Sequence, residues 1–282
     1  MALGVERLSE LQAELLQEWF AGAEVVSDLS WGRTRTTVLE FLHQGDRYVA
    51  KAGGPHDRDV GREIRAHRRW LSPWTSVERA PALLAADEGA RLLVTRFLPG
   101  TVVERTPHAL LPDTYRQAGR LLAQLHGQLE VQDAGFEARE NEKALLWLRK
   151  SHGIEPKTAA RLRWMVESWP GVPSTVVPTH GDWQPRNWLV CRGRVSVIDF
   201  GRTDLRPALT DFTRLAAQQF RTRPELESAF IEGYGSDPRE PAAWRRARIR
   251  EAIGTAVWAH NAGDERFEQQ GHRMIAEALD DA

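Results

Sequence analysis

The chain has 282 residues, of which 41% are apolar, 27% charged and 8% aromatic, the composition of an ordinary soluble globular protein. Its 38 basic and 39 acidic residues leave a formal charge of −1, which argues against the strongly basic footprint of a general nucleic-acid binder. One cysteine, Cys191, excludes an intramolecular disulfide framework and a multi-cysteine zinc site. Residues 1–12 carry Glu6, Arg7 and Glu10 and no apolar h-region, so no signal peptide is expected. No apolar run approaches the roughly 20 residues of a membrane helix. The expectation is a cytoplasmic protein with neither membrane nor nucleic-acid partner, monomeric or a weak homo-oligomer. Arginine outnumbers lysine by 34 to 4, so each lysine stands out.

The first predicted element is an amphipathic helix over 9–20, with Ser9 as N-cap and Leu11, Leu15, Leu16 and Trp19 at helical spacing. Strands follow over 36–42 and 47–52, joined by the turn His43-Gln44-Gly45-Asp46. Gly53-Gly54-Pro55 breaks the pattern, and a helix is expected over 59–71. Two more strands, 83–85 and 91–97, flank Asp87-Glu88-Gly89, and Leu98-Pro99-Gly100 closes this half. The remainder is expected to be mostly helical, over 113–129, 143–152, 157–169, 209–220, 224–233 and 244–262. One β interruption is expected there, a hairpin of 187–190 and 195–200 about Arg192-Gly193. Asp280-Asp281 reads as a solvated tail. The layout predicts an α+β fold of two lobes, a small β-rich one over 1–99 and a larger, mostly helical one over 100–282.

Chemistry concentrates in His180-Gly181-Asp182-Trp183-Gln184-Pro185-Arg186-Asn187 and in Val197-Ile198-Asp199-Phe200-Gly201. A carboxylate at Asp182 can accept a hydroxyl proton, and an amide oxygen at Asn187 can ligate a metal. Folding the hairpin returns Asp199 to the neighbourhood of Asn187. Two hard oxygen donors at one spot suit Mg²⁺, which also takes phosphate oxygens and water.

The pair of motifs, H-G-D-x-x-x-x-N followed by I-D-F-G, resembles the aminoglycoside phosphotransferase and choline kinase family, which has the protein-kinase-like fold. Protein kinases normally carry Arg where this chain has Gly181. The resemblance spans about 29–212. It implies phosphorylation of a small-molecule hydroxyl with ATP as donor (GTP stays open) and Mg²⁺, with Asp182 as catalytic carboxylate and Asn187 and Asp199 as metal ligands. Tyr48-Val49-Ala50-Lys51 resembles the family's third strand, which makes Lys51 the ligand of the α/β-phosphates and Glu63 the candidate that orients it. Ser30-Trp31-Gly32-Arg33-Thr34 lies where the nucleotide loop belongs, so Ser30, Gly32 and Thr34 are candidates to cradle phosphate. Thr95-Arg96-Phe97-Leu98 is expected to be the hinge strand, with backbone groups of Thr95 and Phe97 meeting the adenine edge. Asp211 resembles a family residue that braces the catalytic loop, and His180 is read as structural. Arg186 has two readings, a contact to the γ-phosphate or a pairing with a carboxylate.

About ten residues separate Gly201 from Asp211, too few for a peptide-docking activation segment, which favours a small acceptor. Segments 136–169 and 258–267 are the candidate acceptor walls. Glu140, Glu142, Asp264, Glu265 and Glu268 are possible cation receivers, and Trp147, Trp258 and Phe267 either line the pocket or belong to the core. Residues 100–282 carry 25 basic and 25 acidic side chains, which weakens the case for a polycationic acceptor without removing it. The expected function is inactivation of an antibiotic, an aminoglycoside or a basic peptide. A biosynthetic kinase acting on a sugar or amino alcohol is the alternative, and a nucleotide-binding pseudokinase is disfavoured because Lys51, Asp182, Asn187 and Asp199 are all present.

Overall fold

A computed structural model describes residues 5–30 and 36–280. Gly32 and Thr34, like the tail residue Asp281, lie outside the described residues. The elements in chain order are α1 (Glu10–Trp19), β1 (Glu24–Asp28), β2 (Thr37–His43), β3 (Asp46–Ala52), α2 (Asp59–Arg69), α3 (Ser72–Thr75), β4 (Leu83–Asp87), β5 (Leu92–Arg96), β6 (Thr101–Val102), α4 (Pro112–His126), β7 (Val131–Asp133), α5 (Phe136–Trp147), α6 (Pro156–Ser168), β8 (Ser174–Thr179), β9 (Trp188–Cys191), β10 (Arg194–Val197), β11 (Asp204–Arg206), α7 (Thr213–Leu215), α8 (Pro224–Tyr234), α9 (Pro241–Ala262) and α10 (Glu265–Asp280). They form two compact units. One comprises Met1–Gln128, His180–Asp204 and Ser228–Gly235; the other comprises Leu129–Thr179, Leu205–Glu227 and Ser236–Ala282. No helix among the described residues is long and apolar enough to cross a membrane.

The first unit contains a five-stranded antiparallel sheet in the order β1-β2-β3-β5-β4. Gln44 and Gly45 both have positive φ, 51° and 85°, the type I′ geometry whose twist matches that of the flanking strands. Arg192 and Gly193 repeat it at the β9–β10 turn, with φ of 51° and 74°. A reciprocal capping box between Ser9 and Gln12 starts α1, a feature worth about 1 kcal/mol. The face α1 buries differs from expectation. Leu11 is 53% exposed, whereas Gln12 is buried and donates to the carbonyls of Gly53 and Ala90 at 3.0 and 2.7 Å. Those two otherwise unpaired carbonyls turn the polar residue inward. The strand β1 was not expected from the sequence, and neither were β6, β7, β8 and β11.

In the second unit β7, β8 and β11 form a small sheet, with β8 central. The helix expected over 143–152 instead runs Phe136–Trp147. Its first turn buries Glu137, whose carboxylate receives Arg246 at 2.8 Å and Arg250 at 2.7 Å from α9. A charged residue on the buried face hides the apolar period. The helix α10 was also unexpected, and Asp280 is its last residue rather than part of a tail. It buries Gly271, Met274, Ile275, Ala278 and Leu279, and at Gly271 it lies so close to α9 that a Cβ would sit 2.5 Å from the Ala256 Cα. The stretch 209–220, expected as one helix, is a succession of 3₁₀, α and π turns that begins at Ala208.

A similarly close crossing occurs in the first unit, where a Cβ on Gly233 would lie 2.0 Å from the Arg116 carbonyl oxygen of α4. Backbone cannot yield as a side chain can, so Gly233→Ala is expected to destabilise the protein by about 1–3 kcal/mol, measured as a lower urea midpoint at unchanged m-value.

Candidate active site

Lys51 lies on β3, opposite Leu93 of β5 and Val38 of β2. Its ammonium donates to both Glu63 oxygens at 2.9 Å and to Asp199 Oδ1 at 3.1 Å. Burial pulls the Lys51 pKa down, but the Asp199 and Glu63 charges override it and hold the ammonium well above its usual range. Burial pushes Glu63 up, against the pull of Lys51. Lys51 holds Asp199 below the usual carboxylate range, against burial and the nearby Asp182 charge. Glu63 is on α2, whose Arg62 also donates to the Gly201 carbonyl at 2.9 Å.

Asp182 is buried, and three side chains from its own loop grip it. Gln184 Nε2 donates to Oδ1. Arg186 Nη2 donates to Oδ2 at 2.9 Å, and Asn187 Nδ2 donates to the Asp182 carbonyl at 2.8 Å and to Oδ2 at 3.0 Å. Gly181 precedes it at φ +79°, a left-handed conformation that favours glycine over the arginine of protein kinases. His180 Nδ1 accepts the Asp182 backbone N–H at 3.2 Å, and Nε2 faces the Ile198 carbonyl at 3.2 Å. Those partners require a proton on Nε2 and none on Nδ1, so the ring is a loop brace.

Asp199 follows β10 by two residues rather than ending the strand as expected, and takes φ +68°, an uncommon conformation for a non-glycine residue and one that recurs at functional sites. The Ile198 N–H donates to the Asn187 carbonyl at 3.0 Å, which keeps the two loops together. The amide of Asn187 uses its nitrogen on Asp182, and among the described residues neither its Oδ1 nor Asp199 Oδ2 has a hydrogen-bond partner. Two free hard oxygens fit a divalent cation that keeps water and phosphate in its other positions, as Mg²⁺ does. Among the described residues no cluster of three or more His, Cys, Asp or Glu forms a metal cage.

Other candidates are placed differently. The Ser30 hydroxyl accepts the Val38 N–H at 2.9 Å and so closes the base of the loop. Thr95 pairs with Val49 on one side and Leu83 on the other. The Phe97 N–H donates to the Arg47 carbonyl at 3.0 Å. Thr95 thus lies inside the sheet ladders and the Phe97 N–H is taken by Arg47, while among the described residues the Leu98 N–H has no backbone partner. Asp211 is buried in the second unit. There, Glu140 pairs with Lys143 at 3.3 Å and Glu268 with His260 at 2.8 Å. The Trp258 and Phe267 rings pack edge to face at 6.3 Å. Glu142 faces a cavity of about 330 Å³ that Asn141, Arg149, Glu167 and Trp169 also line.

The sequence draws no function from Trp74, Trp183 and Trp188. Trp74, Trp183 and Trp188 are fully buried, and with His180, Phe200 and Tyr115 they form a continuous aromatic layer of centroid spacings 5.2–6.0 Å. Their alternation with polar loop residues was the available signal: Trp183 packs inward between Asp182 and Gln184.

The sequence model of the phosphotransferase enzyme family matches residues 25–249. The chain belongs to that family, and is a small-molecule kinase with a hydroxyl acceptor. The solved structures it resembles include a thermostable mutant of aminoglycoside phosphotransferase APH(4)-Ia in complex with ADP and hygromycin B, at 14% identity and TM-score 0.70, covering 96% of this chain and 98% of that one. Choline kinase LicA from Streptococcus pneumoniae is 14% identical with TM-score 0.70, over 97% and 100% of the two chains. The gentamicin complex of APH(2")-IIa is 16% identical with TM-score 0.63, over 95% and 96%. At these identities the likeness is one of fold, the two-lobed, mixed α+β protein-kinase-like fold. No curated protein matches the chain in sequence.

His67, one turn beyond Glu63 on α2, packs its ring against Phe200 at 5.6 Å, and neither ring nitrogen has a partner among the described residues. Burial, with Lys51 nearby, lowers its pKa from 6.5 to about 3. The ring stays neutral in the fold, while the unfolded chain takes up a proton below about pH 6.5. Stability therefore falls as pH drops from 6.5 toward 3. Between pH 7 and 5 the native protein is expected to lose about 2 kcal/mol more than His67→Leu, read from urea unfolding at the two pH values.

Proposed function

We propose that the protein is an ATP- and Mg²⁺-dependent phosphotransferase that phosphorylates a hydroxyl of an antibiotic, an aminoglycoside or a basic peptide, and so inactivates it. The observation that carries the reaction is the grouping in one unit of Asp182, Asn187 and Asp199 with Lys51. Two oxygens, Asn187 Oδ1 and Asp199 Oδ2, are left open there. The antibiotic is supported by the fold shared with enzymes captured with hygromycin B, gentamicin and spectinomycin. The equal likeness to a choline kinase favours an amino alcohol as the second reading. The nucleotide is assigned to the lobe over 1–99 and the acceptor to the lobe over 100–282.

In this reading Lys51 binds the α/β-phosphates, held in place by Glu63. Asn187 and Asp199 would hold Mg²⁺, which when bound neutralises phosphate charge. Asp182 orients the acceptor hydroxyl and takes its proton. The adenine edge is assigned to the end of the hinge strand, at backbone of Thr95 and Phe97 and of the adjoining Leu98, and Ser30, Gly32 and Thr34 are the residues proposed to bind phosphate. Catalysis is then mainly placement and charge neutralisation.

The test is incubation of the protein and Mg·ATP with aminoglycosides, basic peptide antibiotics, choline and sugar amines, with phosphorylated product read by mass spectrometry. Asp182→Asn is expected to bind nucleotide within about twofold of the wild type and to lose at least about 100-fold in transfer, the scale of general-base catalysis. Transfer at the native rate in that variant would remove Asp182 from its role.

A further inference from the structure

We infer that Arg186 is the cation that receives the phosphoryl group in transit, in addition to its resting pairing with Asp182. The inference rests on the phosphotransferase reading of the site. Phosphoryl transfer spreads negative charge over the equatorial oxygens of the moving group, and a site lowers the barrier with cations already aimed there. Lys51 and Arg186 are cationic side chains that touch carboxylates of this site. Lys51 is committed to both oxygens of Glu63 and to Asp199 Oδ1. Arg186 touches the base itself, at 2.9 Å from Asp182 Oδ2.

The acceptor hydroxyl must lie against Asp182 to give up its proton, so the new P–O bond forms within reach of the Arg186 guanidinium. The 3₁₀ turn Pro185–Asn187 fixes the start of that side chain, while a quarter of the side chain stays exposed on the site. Asp182 does not depend on Arg186 to keep its place, because Gln184 holds Oδ1 and Asn187 holds Oδ2 and the carbonyl. The guanidinium can therefore turn from carboxylate to phosphoryl without releasing the base, and its planar fork suits both anions.

The acceptor O–H proton passes to the Asp182 carboxylate, and the acceptor oxygen bonds to the γ-phosphorus. The bond from that phosphorus to the bridging oxygen breaks, and ADP leaves with the electron pair. Arg186 remains protonated throughout. A merely structural Arg186 would balance Asp182 at rest and contribute nothing specific to the moving phosphoryl.

The deciding experiment is calorimetric titration with Mg·ADP, with and without aluminium fluoride as a mimic of the phosphoryl in transit. It compares the wild type, Arg186→Gln and Arg186→Lys. The wild type is expected to bind Mg·ADP at least tenfold tighter with the fluoride. Arg186→Gln should bind Mg·ADP within about twofold of the wild type and lose that tightening, while Arg186→Lys keeps part of it. Tightening by Arg186→Gln equal to that of the wild type would overturn the inference and leave the phosphotransferase reading standing. So would loss of Mg·ADP binding in Arg186→Gln, which would make Arg186 a brace of the resting site. A wild type that binds no nucleotide would overturn the phosphotransferase reading and this inference together.

Discussion

One buried ammonium holds the chemistry of this molecule in place. Lys51 stands on the central part of the five-stranded sheet, and its charge is shared between Glu63 on α2 and Asp199 after β10. Glu63 is buried and Lys51 mostly so, and either charge would be costly there without the other; Asp199 joins them from a half-exposed position. Together they place one positive charge between two negative ones. That arrangement sets the distance of α2 from the sheet and brings in a segment 148 residues along the chain. The apolar contacts of Val60 and Ile64 with Leu93 and the Arg62 bond to Gly201 hold the helix so that the charges can meet.

Behind that charged layer lies an aromatic one. Trp74, Trp183, Trp188, Phe200 and His180 pack directly under the Asp182 loop. The three indole N–H groups have no acceptor among the described residues, a cost of about 1–3 kcal/mol for each buried donor. What the rings supply is shape: large rigid surfaces that fix the loop from beneath. With Trp183 turned into this layer, its neighbours Asp182 and Gln184 are available to the site. The loop is rigid because its apolar residues are core and its polar residues bond one another.

Local physics was legible. Ser9 caps its helix, and the Gln44-Gly45 and Arg192-Gly193 turns are where their residue types suggest, because hydrogen bonds and φ preferences within a few residues decide them. The missed elements were decided by distant partners. The strand β6 has two residues and exists through its pairing with β9. The face of α5 carries Glu137 inward because α9 brings two arginines to it. The helix α10 is the exception: Met274, Ile275, Ala278 and Leu279 stand at helical spacing and were a readable signal, whereas its close approach to Ala256 through Gly271 was not. The strand carrying Thr95 is where the alternation of residues places it, and its pairing to Val49 and Leu83 is a partnership between distant segments that the sequence does not announce.

By itself the sequence determined the inventory and its order: a lysine on an apolar strand, an acid on the next helix, an acid and an amide five residues apart, and an acid after a hairpin. Those follow from residue type and short-range spacing, which a linear reading contains. Only the tertiary structure decided the partnerships. It put Lys51 between Glu63 and Asp199, turned the Asn187 nitrogen to Asp182, set Arg186 on the Asp182 carboxylate and left the amide and carboxylate oxygens open. The physical reason is that periodicity reports which way a side chain faces, whereas its partner is set by packing between segments, as for Lys51 and Asp199, 148 residues apart, or by the exact path of a loop, as for Asp182 with Arg186 and Asn187.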